Sequence, residues 1–229
     1  MNSGLDLRSL AGAVLRSCPP LSAESRRFIQ AAHGQLAEGS PVSLEAIARR
    51  ADIAAEAAAA VVVRMPGLAR FNRAGDVVGF LGLSLDPTPH VFEVNDLVLY
   101  TWCAWDSLFI SRLLGTPARV ISRCPVTGDS IQLGVTPDAV HDVAPPETVV
   151  SFLIACDPRQ ANGVVGACCE HIHFLSSARA GEEWLLAHRV GAVLSLGDAF
   201  ELGRLFVDEV LRGGLASPHI DTQLAAATA

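Results

Sequence analysis

Apolar positions recur at helical spacing through the first part of the chain. Leu7, Leu10 and Val14 mark one face over 5–17, and Phe28, Ile29, Ala32 and Leu36 mark another over 22–37. Ser22 and Ser25 are candidate starts for the second of these helices. Gly39-Ser40-Pro41 interrupts the pattern. Ser43 can then cap a short helix, Ala51-Asp52-Ile53 turns the chain, and a further helix runs from Ala54 to a stop near Pro66-Gly67. Two strand-like runs flank Arg73-Ala74-Gly75-Asp76. Helices followed by a hairpin give the outline of a winged helix.

The texture changes near residue 81. Short β-rich runs appear: HVFEV, RVISRC, SIQLGV, TVVSFLIAC and HIHFL. Turns such as Thr127-Gly128-Asp129 and Ala144-Pro145-Pro146 separate them. Helical patterns cover 98–114, ended by Gly115, then 180–190, and 197–212, ended by Gly213-Gly214. Strands and helices without strict alternation predict an α+β fold. The expected organisation is a winged-helix-like module over 1–80, packed on a mixed β-sheet core with flanking helices over 81–229. The tail from about residue 215 is expected to fray.

Charge sharpens this division. Residues 1–80 carry 9 arginines against 7 acids, and residues 81–229 carry 8 against 17, within a net charge of −7. There is no lysine in the 229 residues, and half of the chain is hydrophobic. Neither part has the basic excess that neutralises phosphates, so nucleic acid is not an expected partner. Asp6, Arg8 and Arg16 break the apolar run at the N-terminus, so no targeting leader is expected. No stretch reaches the roughly 18 uninterrupted apolar residues of a membrane span. These features predict a cytoplasmic protein whose six cysteines are reduced.

Reactive chemistry concentrates in two stretches. In LYTWCAWDSLF, Cys103 and Asp106 stand three apart and share a face if the segment is helical. A carboxyl beside a thiol in an apolar pocket is pushed toward its protonated form, which makes it a proton donor. On this pair alone, a buried free cysteine beside a capping or surface aspartate is the simpler reading. In GACCEHIHFL, Cys168 and Cys169 would point to opposite faces of a strand, so one of them would look into a given pocket. His171 and His173 alternate there, but the usual paired spacings of a zinc site are absent. Cys18, Cys124 and Cys156 have packing or surface roles by default. The helix AAEAAAAVVVRM offers few donors for bases or phosphates, so the two-helix segment reads as a packing module more than a DNA reader.

Together these stretches resemble the bacterial organomercurial lyases, also called alkylmercury lyases. The resemblance is densest over 75–128 and resumes at CCEHIHF, 168–174, and GDAFELGRLF, 197–206. It rests on a Trp-Cys-x-x-Asp motif, a third cysteine 21 residues after the first, and a Cys-Cys pair leading into a histidine-containing strand. Glu170 stands between that pair and its first histidine as an apparent insertion. The resemblance implies protonolysis of carbon–mercury bonds to a hydrocarbon and Hg(II). It assigns the two essential cysteines to Cys103 and Cys168 and the essential aspartate to Asp106. Cys124 matches a structural cysteine, and Cys169 the non-catalytic member of the pair. The N-terminal module is implied to pack on the core without binding DNA.

The chemistry suits such residues. Thiolate is the softest ligand a protein offers to a soft metal. Two thiolates would hold mercury while a carboxylic acid delivers a proton to the departing carbon. Cys103 and Cys168, with Asp106 as a further ligand, would then hold the Hg(II) product. No organic cofactor is expected; external thiols, and a mercuric reductase downstream, would accept the metal. The competing readings are a winged-helix metal-sensing transcription regulator and a family member that binds Hg(II) without cleaving the bond.

Overall fold

The structure, a computed structural model, describes residues 21–153, 168–188 and 191–212. The helix expected over 5–17, the tail beyond 215, Cys18 and Cys156 lie outside the described residues.

Three helices open the described chain: α1 (Ala23–Leu36), α2 (Leu44–Ala51) and α3 (Ala55–Arg64). Ser22 Oγ accepts from Ser25 N at the start of α1, and Ser43 Oγ accepts from Ala46 N at the start of α2. Asp52, at φ 51°, ends α2 in the left-handed conformation. Helix α1 buries Phe28, Ile29, Ala32 and Leu36, as its spacing predicts. Helix α3 buries Ala58 and Val61, and its exposed face carries Ala55, Glu56, Ala59, Val63 and Arg64.

Strands β1 (Ala69–Phe71), β2 (Val77–Phe80), β3 (Leu83–Ser84), β4 (His90–Val94) and β5 (Leu97–Thr101) follow. After helix α4 (Ala104–Leu114) come β6 (Ala118–Arg123), β7 (Ser130–Val135), β8 (Val140–Ala144) and β9 (Val149–Leu153). A single 3₁₀ turn (Cys169–His171), β10 (Phe174–Leu175), α5 (Ala178–Ala187), β11 (Gly191–Ser195) and α6 (Leu196–Arg212) complete the described chain. Eight strands form one sheet in the order β1-β2-β3-β5-β4-β6-β7-β8, and three form another in the order β10-β9-β11. The class is α+β, as read from the sequence, and the described strand pairings are antiparallel rather than mixed.

Two local expectations change. The helix read over 98–114 begins only at Ala104, because Leu97–Thr101 pairs with β4. The turn between these strands is Asn95-Asp96, both at positive φ (51° and 61°), the geometry that matches strand twist in a two-residue hairpin. The strand read through HIHFL is confined to Phe174–Leu175; His171 ends the 3₁₀ turn, and Ile172 and His173 lie between the two elements.

Helix α4 packs against the larger sheet and against α6. Trp105 and Phe109 of α4, Phe152 of β9 and Phe206 of α6 form an aromatic cluster with centroid separations of 5.0–5.4 Å. Trp105 Nε1 donates to Ala199 O at 3.0 Å, so its one polar atom is satisfied in the core. A β-carbon at Gly203 would lie 3.0 Å from Phe109 Cβ, which lets α6 approach α4 closely. Arg112 of α4 pairs with Asp208 of α6 at 2.8 Å, both largely buried. These contacts anchor α4 between the larger sheet and α6.

Candidate active site

Cys103 is the N-cap of α4 and Asp106 its N3 residue. The Cys103 backbone N–H donates to Asp106 Oδ2 at 3.0 Å. The Asp106 backbone N–H in turn faces the Cys103 sulfur, so each side chain closes on the other's main chain. This reciprocal geometry follows from the three-residue spacing and the break at Thr101-Trp102. It places the thiol at the positive end of a helix, where a thiolate is favoured.

Cys169 completes the site from the 3₁₀ turn. The ligand atoms of Cys103, Asp106 and Cys169 all lie within 4.8 Å of one another, and the residues are 1%, 6% and 7% exposed. Three soft or anionic donors facing one point could hold a metal ion. The contact is fixed by backbone: Ala104 N donates to Ile172 O at 3.1 Å, tying the turn to the first residue of α4. Ser151 of β9 grips the turn as well, with its hydroxyl 2.9 Å from both His171 O and His173 N.

The far side of the carboxyl is closed by Gly82, at φ +94°. A β-carbon there would stand 2.6 Å from Asp106 Cγ, so any other residue would be strained and would push the carboxyl aside. Leu81, its neighbour, is held from both sides: Leu81 N donates to Leu68 O at 2.9 Å, and Leu81 O lies 3.3 Å from His33 Nε2. His33 is fully buried, and its other ring nitrogen lies 2.9 Å from Ile29 O. Helix α1 thus supports the turn that walls Asp106.

Burial raises the Asp106 carboxyl to a pKa of about 7, opposed by hydrogen bonds from the Cys103 thiol and N–H. Burial also pushes the Cys103 thiol well above its ordinary value; the Cys169 thiol and the Asp106 charge add to the rise, and the Asp106 N–H opposes it. At neutral pH the carboxyl therefore shares its proton between two nearly balanced states while the thiol keeps its own. A soft cation that replaces the thiol proton finds an acceptor for it within reach.

Of the residues singled out in the sequence, Cys103 and Asp106 come together. Cys168 does not join them; Cys169 does. Cys168 is half-buried and disulfide-bonded, in contrast to the expectation that every cysteine is a thiol. The expectation that the pair alternates on a strand gives way to a 3₁₀ turn with Cys168 at its N-cap and Cys169 inside it. Glu170, which separates the pair from its first histidine, is the sequence feature that bears on the register of this segment. Gly82 is a further residue of the site, and a glycine between strand-like runs is the local pattern that can mark such a close approach. Cys124 is a buried free thiol in its own turn, where Thr127 N lies 3.5 Å from its sulfur.

Comparison with known proteins gives the family. The family model for MerB, alkylmercury lyase, matches residues 83–208. The chain is 42% identical over 169 residues to the alkylmercury lyase of Staphylococcus epidermidis, spanning 74% of this chain and 76% of that one. It is 38% identical over 178 residues to the alkylmercury lyase of Streptomyces lividans, spanning 78% and 80%. With that of Pseudomonas putida it shares 40% identity over 177 residues, spanning 77% and 81%. A crystal structure of the mercury-bound form of MerB2 superposes with a TM-score of 0.73 at 23% identity, covering 90% of this chain and 98% of that one, which shows a shared fold. By its family match and these relatives, the chain belongs to the alkylmercury lyase family.

Proposed function

We propose that this protein cleaves the carbon–mercury bond of organomercurials by protonolysis, with Cys103, Cys169 and Asp106 as its reacting groups. The observation that carries the reading is the buried convergence of two thiols and a carboxyl titrating at about 7. Cys169 takes the role that the resemblance assigns to Cys168, because its sulfur is the one that faces Cys103 and Asp106.

The reaction balances with the groups present. The substrate enters as a thiol adduct, R–Hg–SR′. One cysteine sulfur bonds to mercury, R′S⁻ leaves, and the proton of that cysteine departs with it as R′SH. The second cysteine sulfur bonds to mercury and gives its proton to the Asp106 carboxylate. The carbon–mercury bond then breaks, its electron pair takes the proton from Asp106, and RH leaves. Hg(II) remains on two thiolates and the carboxylate is restored. Two sulfur donors raise electron density on the metal, and the carboxyl supplies the proton at the moment the carbon departs. Burial keeps bulk water from the metal and strengthens each electrostatic contact inside the site.

Turnover then requires removal of the metal by ligand exchange. Small thiols and a mercuric reductase fit as acceptors, and a cytoplasmic setting supplies both. No helix among the described residues is long and apolar enough to cross a membrane. The test is incubation with phenylmercury and excess thiol in D₂O. The expected products are monodeuterated benzene and thiol-bound Hg(II); absence of benzene with folded protein would overturn the proposal.

A further inference from the structure

Cys169 stands on a three-residue turn with little regular structure around it, yet its sulfur must be placed against two groups on another element. The turn's own bonds, His171 N to Cys168 O and Ile172 N to Cys169 O, shape it without orienting it. Orientation comes from outside. Ala104 N holds Ile172 O, a disulfide ties Cys168 at the start of the turn, and the main chain on either side of Ile172 is held by one residue, Ser151, which is 0% exposed. Its Oγ donates to His171 O and accepts from His173 N, both at 2.9 Å, while its backbone N–H donates to His173 O at 3.0 Å. Ser151 is itself immobilised in the middle of its sheet, paired with Val193 of β11. One hydroxyl therefore satisfies two buried main-chain groups that flank Ile172, the residue docked on α4.

The geometry points to Ser151 as a positioning residue for carbon–mercury cleavage: its hydroxyl locks the turn so that the Cys169 sulfur faces Cys103 and Asp106. An alanine at this position keeps the backbone bond to His173 O and loses both hydroxyl bonds. The turn then loses both bonds that fix the main chain on either side of Ile172, and the second sulfur shifts from its place while Cys103 and Asp106, fixed within α4, keep theirs.

The inference rests on the lyase reading, and its test separates the two. In Ser151→Ala, single-turnover benzene release from phenylmercury should fall about tenfold or more, the scale of a misplacement near 1 Å. Independently of any activity, alkylation mapped by mass spectrometry should speed up about tenfold at Cys169 and stay unchanged at Cys103, because exposure of a thiol governs its rate. A merely structural loss would open both cysteines together. If Ser151→Ala does not fold, the isosteric pair Ser151→Thr and Ser151→Val replaces it, with Thr expected to behave like wild type and Val like Ala. Equal acceleration at both cysteines, or unchanged benzene release, would overturn the role of Ser151. A wild-type protein without benzene release overturns the lyase reading and leaves the alkylation result to decide the clamp.

Discussion

Replacing Asp106 with asparagine isolates the energetic consequence of burying the carboxyl. The group titrates at about 7 in the folded protein against 3.8 for the free side chain. Between these values the folded protein holds a proton that the unfolded chain has released. Stability therefore falls as pH rises from about 4 to about 7 and is level above that range. A gap of roughly three pKa units corresponds to about 4 kcal/mol at full effect. The substituted amide cannot ionise, so the variant loses this slope. Its oxygen still accepts from Cys103 N–H, and its new N–H donors add an offset that does not vary with pH. Other titrating groups, including the buried His33 and His90, are common to both proteins and cancel in the difference. Urea unfolding of both proteins, reduced and at a series of pH values from 4.5 to 8, gives that difference directly. It should grow in favour of Asp106→Asn by about 2–4 kcal/mol across the range, while lyase activity is lost. A difference that stays flat with pH would show that the carboxyl titrates near its ordinary value, and the proton-donor argument would fail with it.

The remaining expectations follow from single contacts. Gly82→Ala puts a β-carbon 2.6 Å from Asp106 Cγ at a φ of +94°; benzene release should drop about 10²-fold and thermal stability by about 1–3 kcal/mol. Phe206→Ala removes a ring that touches both Trp105 and Phe109 beneath α4; calorimetry or denaturant unfolding should show a loss of about 3–5 kcal/mol. Because Asp106 must be ionised to accept the second thiol proton, single-turnover rates should climb with pH through an apparent pKa near 7, read as a property of the coupled thiol–carboxyl set. A rate that falls over the same range would reverse the order of proton transfers.

Local chemistry was the legible part of this chain. The Cys103–Asp106 relation is settled within one helical turn, so a spacing of three residues suffices to place the carboxyl beside the thiol. Ser22, Ser43 and Gly115 marked helix ends through capping preferences that act over a few residues. The runs HVFEV and SIQLGV declared themselves by alternation and form β4 and β7. What stayed hidden depends on distance. Leu97–Thr101 leads straight into an apolar helix, and its strand pairing is decided by the turn at Asn95-Asp96 and by β4, not by its own pattern. The choice between Cys168 and Cys169 depends on a 3₁₀ turn held by Ser151 and Ala104, residues that lie far from it in the sequence. Gly82 matters only because the chain folds it against Asp106. Family resemblance supplied the reaction, but the adjacent cysteines required the register that the folded chain provides.

The most direct test of the central claim sets Cys169→Ala beside Cys168→Ala in single-turnover benzene release from phenylmercury, with Cys103→Ala as the reference for a missing thiolate. The account predicts that Cys169→Ala is as inactive as Cys103→Ala, while Cys168→Ala retains its activity. An active Cys169→Ala together with an inactive Cys168→Ala would contradict it.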